Sequence, residues 1–170
     1  NPYFNCGHCY SCERGFVNCC THNETMGAQR DGAFCEYITM PVERIYDGQG
    51  LDPKVLALIE PFCIGYHAAK RAAIRPGDKV LVVGSGTIGC MAIASAKMLG
   101  AEVYVSDISE FKLKKAAQFG IDGMFVNTGN DAFLQWVQDV TGGHGFDVCM
   151  EAVGLPSTFQ NCIDAAAYQG

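Results

Sequence analysis

Val80-Leu81-Val82-Val83-Gly84-Ser85-Gly86-Thr87-Ile88-Gly89 is the stretch on which the reading of this chain turns. Four aliphatic residues run straight into G-x-G-x-x-G, and Thr87 to Leu99 then carries a helical pattern that Gly100 stops. The glycine pattern alone is weak evidence, because glycine-rich turns pack for many reasons. Strand, loop and helix in this order supply a mechanism. Gly84 permits the tight turn, Gly86 lets the backbone approach a pyrophosphate, and Gly89 lets the helix pack against the strand. The helix N-terminus, opening at Thr87, offers free N–H groups to the phosphates. Eighteen residues after Gly89, at the end of the next strand, stands Asp107. A carboxylate there accepts hydrogen bonds from ribose hydroxyls and repels a 2′-phosphate, and the next residue is Ile108 rather than arginine.

Working outward, the periods alternate. Strands are expected at Lys79–Val83, Glu102–Ser106, Gly123–Val126 and Phe146–Met150. Helices are expected at Thr87–Leu99, Ser109–Phe119, Asp131–Val140 and Leu155–Ala167. Alternation of this kind means parallel βαβ units in an α/β fold, a Rossmann-type sheet with four strands where the full form has about six. The fourth strand ends in Glu151-Ala152-Val153-Gly154 at the ligand-binding edge, where Glu151 is either a contact or a solvated turn residue. His144 lies in a loop on the opposite edge.

Upstream the texture changes. Ile59 to Ala73 reads as a helix with Pro61 in its first turn, whereas residues 1 to about 50 are loop-rich. Their one strand pattern is Ala33–Met40, closed by Pro41, which suggests the tail of a β-rich domain. The division is expected near residue 58, giving parts 1–58 and 59–170. With no initiator methionine and a truncated strand count, the chain reads as a piece of a longer protein lacking both termini.

Six of the ten cysteines fall within the first 35 residues. Cys6, Cys9, Cys12 and Cys20 form C-x2-C-x2-C-x7-C, a spacing that lets one loop wrap four thiolates around a tetrahedral zinc at Zn–S ~2.3 Å. Cys19 could stand in for Cys20 on spacing alone. Such a closed sulfur site holds a loop together and leaves no position for substrate. A disulfide framework fits poorly beside a nucleotide-binding half that points to the reducing cytoplasm. An iron–sulfur run would want its next cysteine where Phe16 stands. Cys35, Cys63, Cys90, Cys149 and Cys162 sit among apolar neighbours and are expected to be inert core residues, with Tyr66 and His67 read as packing. Glu60-Pro61 makes a good helix start, with the acid near the positive end of the dipole, and it also places a carboxylate at the expected domain junction.

The net charge of −6, from 12 basic and 18 acidic residues, lacks the basic excess that nucleic-acid binding needs. No apolar run approaches the ~20 residues of a membrane span, and a soluble, cytoplasmic chain is expected.

The order and spacing of these motifs resemble the zinc-dependent medium-chain alcohol and polyol dehydrogenases. The resemblance rests on Pro2-Tyr3 before the cysteine loop, Asp31-Gly32-Ala33-Phe34-Cys35-Glu36-Tyr37, Ala57-Leu58-Ile59-Glu60-Pro61, the glycine fingerprint, and Gly145-Phe146-Asp147-Val148 leading to Glu151. The Glu-Pro pair is closer to the sorbitol, threonine and sugar-acid enzymes than to the ethanol type. The resemblance implies a GroES-like catalytic domain whose C-terminal part is residues 1–58, and structural zinc on Cys6, Cys9, Cys12 and Cys20. It places Glu60 on or beside a catalytic zinc, Ile88 behind a nicotinamide, Asp107 and Lys112 at the adenosine ribose, and Val153 on the adenine side. The implied activity is hydride transfer from a secondary alcohol to NAD, by an enzyme that pairs with further copies of itself. A non-enzymatic chain binding NAD and zinc, and a thiol redox sensor, are the alternatives.

Overall fold

The computed structural model describes residues 1–170. The chain forms two compact units, Asn1–Leu51 and Asp52–Gly170. The break precedes the division expected near residue 58 for a local reason. Asp52 caps a short helix, α2 (Pro53–Leu56), by accepting from the Lys54 N–H at 2.7 Å. Turn hydrogen bonds through Ala57 and Leu58 then lead into α3 (Ile59–Arg71), so the backbone is almost continuously helical from Pro53.

In the first unit, β1 (Tyr3–Phe4) pairs antiparallel with β2 (Glu24–Thr25), and α1 (Tyr10–Glu13) carries part of the cysteine loop. Arg30 and Arg44 lie over the Phe4 ring at 4.5 and 5.4 Å. Arg44 also donates to the Asn5 side chain at 3.0 Å and to the Tyr3 carbonyl. Cys9 is the one buried apolar residue of this unit. The strand expected at Ala33–Met40 does not form. An extended segment becomes a strand only beside another, and no strand of this unit pairs with it. Its residues are almost all exposed, Cys35 and the Phe34 ring among them.

The second unit is a four-stranded parallel sheet of β3 (Lys79–Val83), β4 (Glu102–Asp107), β5 (Gly123–Val126) and β6 (Val148–Glu151), in the order β5-β4-β3-β6. The connecting helices are α4 (Thr87–Met98), α5 (Glu110–Ala116) and α6 (Asn130–Thr141), and α7 (Pro156–Ala165) follows β6. Alternate residues of β3 divide between two cores. Val80 and Val82 pack with Ala69, Ala92, Ile93, Val103, Val105 and Leu113, while Leu81 and Val83 pack with Phe133, Val137, Phe146 and Cys162. Helices therefore cover both faces, as the continuous apolar run of β3 requires. Gly65 brings α3 onto α4, since a Cβ there would meet the Met91 carbonyl carbon at 2.4 Å. From β3 the chain steps outward through β4 to β5 and then crosses back to β6 on the other side of β3, and this reversal of strand order opens a crevice at the carboxyl ends of β3 and its neighbours.

The fourth strand begins at Val148 rather than Phe146, because Phe146 instead bridges Ala166 at the end of α7. His67 and Cys63 are exposed on α3 instead of packed. The helical pattern there is carried by Gly65 and Ala69, the buried positions of the helix.

Candidate dinucleotide groove and cysteine cluster

The loop after β3 is built as its glycines dictate. Gly84 has φ +97°, and a Cβ on it would fall 2.6 Å from Val153 Cγ2 and 3.0 Å from the Ala152 carbonyl oxygen. Gly89 is packed harder still, with the Gly84 carbonyl oxygen 2.0 Å from where its Cβ would stand. At Gly86 a Cβ would meet no atom within 4 Å. That residue is the N-cap of α4 and lines an open groove of about 610 Å³. A side chain at 86 would therefore stand in the groove, in the space a close-lying phosphate group needs.

The groove crosses the carboxyl edge of the sheet. It brings Gly84 and Gly86 together with Asp107 and Lys112 from the end of β4 and the start of α5, and with Val153 beyond β6. Thr87 and Ile88 sit exposed on the first turn of α4 and do not line it, and Gly89 is buried beneath it. Residues that the sequence reading passed over complete the wall: Asn127 and Asn130 beside β5, and Thr158 and Asn161 on α7. Their signal was positional, since each follows the carboxyl end of a parallel strand. The Ser106 hydroxyl, fully buried under the groove, has no hydrogen-bond partner. An orphaned hydroxyl, a glycine opening and an anchored carboxylate together fit a dinucleotide.

Asp107 is held from two sides. Its Oδ2 accepts from the Ser85 N–H at 2.8 Å and the Ser85 hydroxyl at 2.9 Å, and its Oδ1 accepts from the Ser109 N–H at 2.8 Å. Burial alone would raise this carboxyl. The Ser85 and Ser109 donors and the Lys112 charge outweigh burial and hold it below its ordinary value. Glu151, left open between contact and turn residue, is a turn residue held by three donor groups. It accepts from the Val153 and Gly154 N–H groups at 2.9 Å and from the Thr158 hydroxyl at 2.6 Å. It thereby ties the end of β6 to the start of α7. Here too burial would raise the carboxyl and the donors lower it.

In the other unit the sulfurs of Cys6, Cys9, Cys12 and Cys20 all lie within 4.8 Å of one another. Cys9 Sγ is 3.5 Å from Cys12 Sγ and 3.9 Å from Cys20 Sγ. Four sulfurs at ~2.3 Å around a tetrahedral zinc stand about 3.8 Å apart, so the loop is already shaped for the ion. The ten cysteines are all free thiols. Backbone N–H groups point at the cluster: those of Cys6 and His22 reach Cys20 Sγ at 3.3 and 3.4 Å and lower its pKa. Those of Cys12 and Thr21 lower the Cys9 thiol to about 5. Cys19, the alternative ligand on spacing, is exposed and outside the cluster, its sulfur 3.4 Å from the Asn18 amide. Glu60 is exposed in the first turn of α3 and is not part of this or any other close group of three metal-ligating side chains.

Residues 87–170 match the family model described as zinc-binding dehydrogenase. The chain belongs to the zinc-binding dehydrogenases. Among relatives of this family, L-galactonate-5-dehydrogenase of Escherichia coli is 47% identical over 116 residues, which is 68% of this chain and 34% of that protein. Sorbitol dehydrogenase of Halalkalibacterium halodurans is 33% identical over 99% of this chain and 50% of its own length. A solved structure of the zinc-binding dehydrogenase type from Sinorhizobium meliloti 1021, bound to NADP, superposes with a TM-score of 0.92 at 28% identity. It is covered over 51% of its length by the whole of this chain. The chain thus spans about half the length, or less, of the relatives it matches. No helix is long and apolar enough to cross a membrane.

Proposed function

We propose that this zinc-binding dehydrogenase chain holds the NAD half of an oxidoreductase that oxidises a secondary alcohol of the polyol, sugar-acid or threonine type. The observation that carries the reading is Asp107, fixed as a carboxylate at the end of β4 where the groove meets the glycine loop. Gly84 and Gly86 form the phosphate-facing turn, with Thr87 opening α4 beside it and Gly89 packed beneath it; Asp107 and Lys112 face the adenosine ribose, Val153 lines the adenine side, and Ile88 stands toward the nicotinamide. NAD bound there supplies the hydride acceptor. The chain's own part is to orient it, with α4 presenting its N-terminal N–H groups to the pyrophosphate and Gly86 keeping the approach open.

In the same reading Cys6, Cys9, Cys12 and Cys20 hold a structural zinc that gives their loop its shape. Glu60 is a single carboxylate, too few ligands for a metal centre of its own. Its proposed place on or beside a catalytic zinc depends on ligands from the part of the relatives' length that this chain does not match. A reducing, cytoplasmic setting suits ten free thiols, and self-association belongs to the complete enzyme.

Calorimetric titration with NAD and NADP tests the cofactor. NAD should bind more tightly, because Asp107 confronts the 2′ position and residue 108 is isoleucine. Replacing Asp107 by Ser together with Ile108 by Arg should reverse the order. Tighter binding of NADP by the unaltered chain would refute the NAD reading.

A further inference from the structure

We propose that Ser85 is the positioning residue that pins Asp107 in place and so sets how strongly the groove rejects a 2′-phosphorylated dinucleotide; this rests on the NAD reading. A carboxylate discriminates against a 2′-phosphate only while its charge stays where the phosphate must go. An aspartate has two rotatable side-chain bonds and, left unheld, can swing aside. Asp107 is not left unheld.

Of the four lone-pair positions on the carboxylate, three are taken by donors of the protein. Ser109 N–H occupies one on Oδ1, and Ser85 occupies two on Oδ2 through its N–H and its hydroxyl. The fourth, on Oδ1, remains for a ribose hydroxyl. The two N–H donors are backbone groups that any residue but proline at 85 or 109 would supply. The Ser85 hydroxyl is the donor that depends on side-chain identity.

That hydroxyl is also what makes retreat costly. Ser85 is 4% exposed, and Asp107 is the acceptor for its hydroxyl. If Asp107 swings away, the hydroxyl is orphaned in a buried place, and the penalty of an unsatisfied buried donor falls on the NADP-bound state alone. Binding of NAD leaves the clamp intact and pays nothing. The effect is therefore on the ratio of affinities rather than on affinity for NAD, and an alanine at 85 would keep both backbone donors while removing the penalty.

The test is calorimetric, with NAD and NADP titrated into the unaltered chain and the variants Ser85→Ala and Ser85→Thr. Loss of one charge-assisted hydrogen bond should lower the ratio of NADP to NAD dissociation constants by about fivefold in Ser85→Ala, with NAD affinity changed less than about twofold. Ser85→Thr, which keeps the hydroxyl, should retain the parental ratio. An unchanged ratio in Ser85→Ala beside a clear NAD preference in the parent would overturn the role of Ser85 and leave the NAD reading standing. No NAD preference in the parent would overturn both. Should Ser85→Ala fail to fold, Ser85→Cys gives the same test, since it keeps the size and is a much weaker donor.

Discussion

At the scale of single residues, the second unit relies on carboxylates at or near its surface that are well supplied with donors, Asp107 and Glu151 among them. In Asp122, burial would raise the carboxyl, but the Lys97 ammonium at 2.8 Å and the Val103 N–H at 2.7 Å bring it below its ordinary value. All three are lower folded than unfolded, so the unfolded chain binds more protons once pH drops toward ordinary carboxylate values of about 3.9 to 4.3. Their contribution is fully present above that range and is lost as pH falls through the folded values. Urea unfolding at fixed ionic strength should show stability declining below about pH 4, and the decline should be shallower in Asp122→Asn. A profile as steep in that variant as in the parent would remove Asp122 from the account. The position of Asp107 at the end of β4 was legible in the sequence because it lies one helix and one strand beyond the glycine loop. The sequence was silent on Ser85, since a serine between two glycines looks interchangeable until its hydroxyl is seen to face a carboxylate 22 positions away.

At the scale of elements, the glycine loop separates packing from access. Gly86 and Gly89 belong to one motif, yet a methyl group on each meets opposite conditions. Gly89→Ala drives a Cβ into the Gly84 carbonyl and should destabilise the second unit by about 1–3 kcal/mol or more as α4 is pushed off β3. Gly86→Ala meets open space at φ −71°, so its stability cost should be no more than the roughly 1 kcal/mol that separates glycine from alanine at an N-cap. Its effect should appear in titration instead, as NAD affinity weakened by about tenfold where the methyl group intrudes on the phosphate path. Equal stability losses for the two would mean that Gly86 is a packing glycine as well. The strands and helices of this unit were readable because their signals are local: aliphatic runs, capping residues such as Ser109, and glycines at helix ends such as Gly120 in left-handed conformation. The Ala33–Met40 strand was misread for the converse reason. Alternation describes a surface ready to pair, and pairing depends on a second strand that eight residues cannot reveal. Ile59–Arg71 was found, but the exposed Cys63 and His67 show that its buried face is set by contact with α4, which sequence alone does not orient.

At the scale of the whole molecule, the two units draw their stability from different sources. Asp52–Gly170 has two apolar cores around a sheet, whereas Asn1–Leu51 has one buried apolar residue, Cys9, and a sheet of two-residue strands. Some fifty residues with so little apolar burial cannot offset their conformational entropy without a staple. The four gathered sulfurs supply one. Zinc should therefore bind at about one ion per chain, and its free energy should be folding free energy for the first unit. Spacing left Cys19 and Cys20 open as the fourth ligand, and the fold separates them by turning one sulfur into the cluster and the other out to solvent. Cys20→Ser should lose the metal, and Cys19→Ser should keep it. Stripping zinc with a chelator should abolish amide-exchange protection around the cysteine loop. The amides of β3 and β4 should stay protected, because their core is made of their own unit's residues. Retention of full zinc by Cys20→Ser, or survival of first-unit protection after the ion is gone, would show that something other than a tetrahedral sulfur shell holds that unit together.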